Sequence, residues 1–176
     1  VLLIGGHPAL DFVNADPQSF EDLRQLAAAT GLATRAELKE LGGRHDTELA
    51  EVRGLRALLH AVFGAGEPRR ADLDALARAW ATAIAHATLR AARGRVALGF
   101  DVAGSGPALI RHRLLQRAIE LLTSDARARI GSCPSCAWLF VDTSKNRSRR
   151  WCSMQACGSA SKSRAYYRRR KAKTTS

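Results

Sequence analysis

Four cysteines, the only ones in the chain, lie close together as Cys133-x2-Cys136-x15-Cys152-x4-Cys157. Thiolates are soft ligands that tetrahedral Zn2+ accepts four at a time, and two close pairs separated by a longer excursion are how one chain supplies them. The first pair brackets Pro134-Ser135, the spacing of a tight turn. The second brackets Ser153-Met154-Gln155-Ala156, long enough to put one sulfur at a strand end and the other in the first turn of a helix. Two disulfides, or four unrelated buried thiols, are the competing readings, and disulfides need an oxidising compartment. The apolar opening Val1-Leu2-Leu3-Ile4 has neither the basic region nor the length of a signal sequence, and no run approaches a membrane span. A cytoplasmic, reducing setting and bound zinc are therefore expected. Four protein ligands leave no place for water, so the metal is expected to be structural.

Charge separates the same region from the rest. From Gly131 onward there are eleven Lys and Arg against one acid, Asp142, while the preceding residues hold seventeen basic and fifteen acidic groups. A nearly neutral front is followed by a polycation, the electrostatic footprint of a nucleic-acid binder. The chain is 176 residues long with 46% hydrophobic content, enough for one ordinary domain plus a small module. We divide it at 1–126 and 127–176.

The fold class expected is mainly α: a helical front domain with a short β element, then a small zinc-bound module of hairpin and helix. Ser19 with Glu21 and Asp22 opens a helix running to Gly31, and Thr34-Arg35-Ala36-Glu37 is a capping box for a short helix ending at Gly42-Gly43. A third helix starts near Asp46, carries Leu49, Val52, Leu55, Leu58, Leu59 and Val62 on one stripe and stops at Gly64. A fourth, after Pro68, presents Leu73, Leu76, Ala77, Trp80 and Ile84 and runs on towards Gly94. Residues 95–102 alternate as a strand, Gly104-Ser105-Gly106 marks a turn, and a fifth helix starts from Pro107 with Leu109, Ile110, Leu114, Ala118, Leu121 and Leu122 inward. No linker precedes the cysteines, so the small module is expected to dock on the larger one.

Within that module, Trp138–Asp142 and Arg149–Cys152 read as strands of a hairpin joined by the polar loop 143–148. Trp138, Phe140 and Trp151 suit a mini-core around the metal better than a base-stacking surface. After Cys157 a basic helix is expected, with Ala160, Ser163 or Arg164, and Tyr167 packed on the hairpin. Lys145, Arg147, Arg149 and Arg150 would neutralise phosphates, Lys162 and Arg164 would be held nearest the metal for specific contact, and Arg168 would add charge further along the helix.

The string CPSCxWLFVDTSKNRSRRWCSMxxCG followed by a basic helix resembles the CGNR zinc-finger proteins of bacteria. Gly5-Gly6-His7-Pro8-Ala9-Leu10-Asp11-Phe12-Val13-Asn14 resembles the opening of their N-terminal ABATE domain. The resemblance spans the chain. It implies a transcription regulator with a helical, sensing front domain, a DNA-binding finger, and Cys133, Cys136, Cys152 and Cys157 as metal ligands. One departure stands out: after Cys157-Gly158 the family's Asn-Arg is replaced by Ser159-Ala160.

In the front half, His7, Asp11 and Asn14 together with Trp80 are the candidates for a small-molecule pocket. The competing reading has Asp11 and Asn14 capping a turn while Leu10, Phe12 and Val13 seed the core. The expected partner is double-stranded DNA, with RNA the alternative and no membrane. Paired half-sites would favour a homodimer. An enzyme with a basic localising tail is the remaining reading; the chain carries no phosphate-cradling glycine loop, HExxH helix, nucleophile elbow or triad to support one.

Overall fold

A computed structural model describes residues 2–163 except 65 and 93, so Arg164, Tyr167 and Arg168 of the expected basic helix lie outside the described residues. Within them the protein is mainly helical, with two small antiparallel sheets. Short helices start where side chains can satisfy their open amides. α1 (Pro8–Asn14) opens on Pro8, whose missing N–H costs nothing in a first turn, and His7 Nδ1 accepts from the amide of Ala9 at 3.2 Å. α2 (Phe20–Ala29) and α3 (Arg35–Leu41) carry full capping boxes, Ser19 with Asp22 and Thr34 with Glu37. α4 (Asp46–Phe63) turns Val52, Leu55, Leu59 and Val62 into the core, and α5 (Arg70–Ile84) adds Leu76 and Ala83.

In the helical domain the structure departs from the expected elements around Ile84 and Val102. The fourth helix does not run on towards Gly94: it ends at Ile84, and Thr88–Ala92 is strand β1, paired antiparallel with β2 (Arg95–Gly99) with Leu89 opposite Leu98. Alanine-rich helical propensity is worth only tenths of a kcal/mol per residue, so cross-strand pairing overrides it once Gly94, at φ 74°, reverses the chain. Ile84 and Ala77, assigned to the core stripe, are exposed. Val102, read as strand, instead opens α6 (Val102–Ser105), because Asp101 Oδ1 accepts from the amide of Gly104 at 2.8 Å and caps a new turn.

α7 (Leu109–Leu122) is the central helix, packing on α1, α4 and α5 and burying Leu109, Ile110, Leu114, Leu115 and Ala118 completely. Two of its arginines brace the neighbours. Arg111 Nε donates to Glu48 of α4 at 2.8 Å. Arg113 holds both carboxylate oxygens of Glu37 on α3, at 2.6 and 2.9 Å, and also donates to the carbonyls of Leu32 and Phe100. Those bonds from Arg113 hold the Glu37 carboxyl down at about 2.

From α7 a 3-10 turn, Asp125–Arg129, leads directly into β3 (Ile130–Ser132), which pairs with β4 (Leu139–Val141). The small module therefore starts from the end of the central helix with no spacer. Among the described residues no helix is long and apolar enough to cross a membrane.

Candidate metal centre and nucleic-acid surface

The turn of the β3–β4 hairpin is the first cysteine pair itself. Ala137 N–H donates to the carbonyl of Cys133 at 2.8 Å and Cys133 N–H to that of Trp138 at 2.9 Å, with Ala137 in the left-handed region at φ 61°. This corrects the hairpin expected from the sequence. β4 pairs backwards with β3, across the knuckle, and Arg149–Cys152 forms no strand. The physical reason is Asp142, the tail's one acid: Oδ1 accepts from Ser144 N–H at 2.8 Å and Oδ2 from Arg149 N–H at 3.0 Å, curling the polar loop upon itself. Hydrogen bonds from Ser144 hold the Asp142 carboxyl below the usual carboxylate range.

The second pair closes the site. Ser153 Oγ accepts from Ala156 N–H at 3.3 Å and starts a wide helical turn, Met154–Gly158, that continues as α-helix through Ser163 and carries Cys157. All four sulfurs lie within 4.8 Å of one another. Cys136 and Cys152 are 3.4 Å apart, Cys152 and Cys157 3.5 Å, and Cys157 and Cys136 3.7 Å, with none joined in a disulfide. Zinc–thiolate bonds of about 2.3 Å in a tetrahedron put sulfurs roughly 3.8 Å apart, so the donor set fits the metal. Burial works against the Cys133 thiolate, but backbone amides of Cys152, Ser135 and Cys136 donate to its sulfur and bring it down to about 6. Burial and the neighbouring thiols push Cys152 up. Zinc would be held by Cys133, Cys136, Cys152 and Cys157 and would supply the charge that lets four crowded sulfurs stay deprotonated together.

Phe140 is fully buried behind Cys133 and Cys152, with Trp138 and Trp151 packed partly over them. The aromatic residues thus form the mini-core. Ala160 and Ser163, expected to pack on the hairpin, are exposed.

The basic residues divide into two sets. Lys145, Arg147, Arg150 and Lys162 are exposed, with the Arg150 guanidinium 5.8 Å from the centre of the Trp151 ring. Arg149 points inward. Its guanidinium donates to the carbonyls of Cys152 (2.6 Å), Ile4 (2.9 Å), Trp151 (3.2 Å) and Val141 (3.3 Å) and lies 4.3 Å from the Phe140 ring centre. No phosphate is needed to satisfy it. Arg129, which no sequence pattern marks, acts similarly, donating to the carbonyls of Asp142 and Ser144 at 2.6 Å each.

The front-half candidates occupy structural posts. Asp11 Oδ1 accepts from Gly5 N–H at 2.7 Å, and burial raises its pKa. Asn14 is buried against β4, His7 caps α1, and Trp80 stacks edge-on to Phe100 at 6.2 Å. None of the described cavities is lined by His7, Asp11, Asn14 and Trp80 together.

A helical domain joined without spacer to a four-cysteine, zinc-holding hairpin and helix defines the class: a two-part zinc-finger protein. Residues 129–170 match the CGNR zinc finger, and residues 6–125 match the ABATE family, described as "putative stress-induced transcription regulator". The second match covers most of the chain, and the protein belongs to the ABATE family. No curated protein matches it.

Proposed function

We propose that this protein is a DNA-binding transcriptional regulator whose zinc module supplies the DNA contact and whose helical domain receives a signal or a second copy. The carrying observation is the sorting of charge on the module. Arg149 and Arg129 are spent on internal carbonyls, whereas Lys145, Arg147, Arg150 and Lys162 stand exposed on a frame fixed by four cysteines. Cations held on a rigid frame can track a phosphate backbone, and the helix after Cys157 has the width to enter a major groove. Ser159 and Ala160, the departure from the family sequence, sit exposed at the start of that helix, so base contact falls to Lys162 and residues beyond it. The family description supports a regulatory and non-enzymatic role.

Selection of zinc-loaded protein on random duplex DNA at near-physiological salt, with single-stranded RNA as competitor, tests the reading. Enrichment of one motif is expected. Failure of any motif to enrich, with RNA displacing the duplex, would overturn it in favour of RNA.

A further inference from the structure

The Gly5–Asn14 motif, which opens the helical domain and buries Leu10, Phe12 and Val13 in its core, also reaches the zinc module at both ends. β4 pairs with β3 along one edge, and its opposite edge would leave the N–H and C=O of Leu139 and the N–H of Val141 bare inside the protein. The Asn14 side chain meets the first two: its Nδ2 donates to Leu139 O and its Oδ1 accepts from Leu139 N–H, both at 2.8 Å, as a neighbouring strand would. Gly5 O accepts from Val141 N–H at 2.8 Å. The Asp11 carboxylate holds Gly5 in place, and Gly5 has no room for a side chain, since a Cβ would lie 2.8 Å from that of Leu10. Arg149 closes the ring by donating to Ile4 O and Cys152 O at once.

We propose that residues 4–14 are a latch through which metal occupancy of the finger and the folding of α1 form one thermodynamic system. Both halves of the metal site hang on it. Leu139 lies three residues past Cys136 on the strand leaving the knuckle, and Arg149 grips the carbonyl of Cys152 itself. α1 in turn packs on α7 and α4, so a change in the helical domain that moves α1 moves the cysteine frame, and loss of zinc loosens α1. Asn14 is the positioning residue of this coupling. The proposal holds for whichever nucleic acid the finger contacts.

Hydrogen exchange on the full-length protein tests it, with and without a zinc chelator, comparing amides of α1 with those of α3, which lies away from the latch. In the unaltered protein, chelation should speed α1 exchange by about tenfold or more while α3 changes little. In Asn14→Ala, metal analysis should still find one zinc per chain, because the cysteines are intact. Its Leu139 and Val141 amides should exchange about tenfold faster, a change of about 1.4 kcal/mol, as expected for the removal of two hydrogen bonds. α1 should then respond to chelation much less. Unchanged α1 exchange on metal removal, or acceleration equal in α1 and α3, overturns the latch, and this arm decides even if the Asn14 variant does not fold. A variant that exchanges as the parent does removes Asn14 from the role.

Discussion

At the scale of single residues, most of what matters is whether a polar group faces inward or outward. His112 is almost fully buried beneath Phe100 and stacks on His86 at 5.0 Å, with Nδ1 3.1 Å from Ser105 Oγ. Burial first, then the Arg111 charge and His86, pushes its pKa down to about 4. The folded protein thus refuses a proton that the unfolded chain accepts near 6.5, so stability should fall as pH drops from about 6.5 towards 4. Glu37, at about 2 when folded, adds a second loss with a different window: its contribution is complete above about 4.5 and disappears as pH falls towards 2. Urea unfolding of His112→Gln should show a flatter pH profile between 6.5 and 4.5 with the lower window intact. Parallel profiles for variant and parent would rule out His112 as the source. Residues also mark the limit of reading from sequence. The four thiols were legible because metal chemistry restricts both ligand type and spacing. Arg149 was not, since nothing local distinguishes an arginine that wraps carbonyls from one that faces phosphate, and its partner Ile4 is 145 positions away.

Elements were legible in proportion to how local their causes are. Ser19 and Thr34 cap helices through bonds spanning three residues, and both starts were readable for that reason. The end of α5 was not, because alanine is content in a helix and only pairing with β2 draws Thr88–Ala92 out of it. The same holds for the hairpin of the finger: two strand-like segments flank a polar loop, yet Asp142 curls that loop and β4 finds β3 instead. For α1 the decisive factor is space, and glycine substitutions read it out. Gly5→Ala places a Cβ 2.9 Å from the amide of Asp11 and 2.8 Å from Leu10 Cβ, and should destabilise by about 1–3 kcal/mol. Gly54, inside α4 with nothing within 4 Å of its would-be Cβ, should respond with the opposite sign, Gly54→Ala stabilising by about 0.5–1 kcal/mol. Denaturant midpoints for the pair check this, and a neutral Gly5→Ala would mean that the turn before α1 yields easily.

For the whole molecule, charge is divided along the chain: a nearly neutral helical body is followed by a cationic finger. Replacing Arg147, Arg150 and Lys162 by Gln should weaken duplex binding and lower the log–log salt slope by roughly 0.9 for each phosphate no longer neutralised, with zinc content unchanged. An unaltered slope in a salt titration would move the DNA-facing surface elsewhere. The overall architecture was readable as helices followed by a metal module because composition and cysteine spacing act over whole segments. How the two parts meet was not, since the joint is made by an asparagine amide and backbone groups whose partners are far along the chain. The bonds between Asn14 and Leu139 span 125 residues, which gives the protein an order of assembly. During synthesis at about 5–20 residues per second, the segment 5–14 must wait roughly 6–25 s for its partner strand to be made. Until then the buried face of α1 has only its helical neighbours for cover, and the nascent helical domain is one strand short of completion. The last-made part of the described chain therefore finishes the first, and release of a fully folded helical domain is deferred until the finger exists to close it.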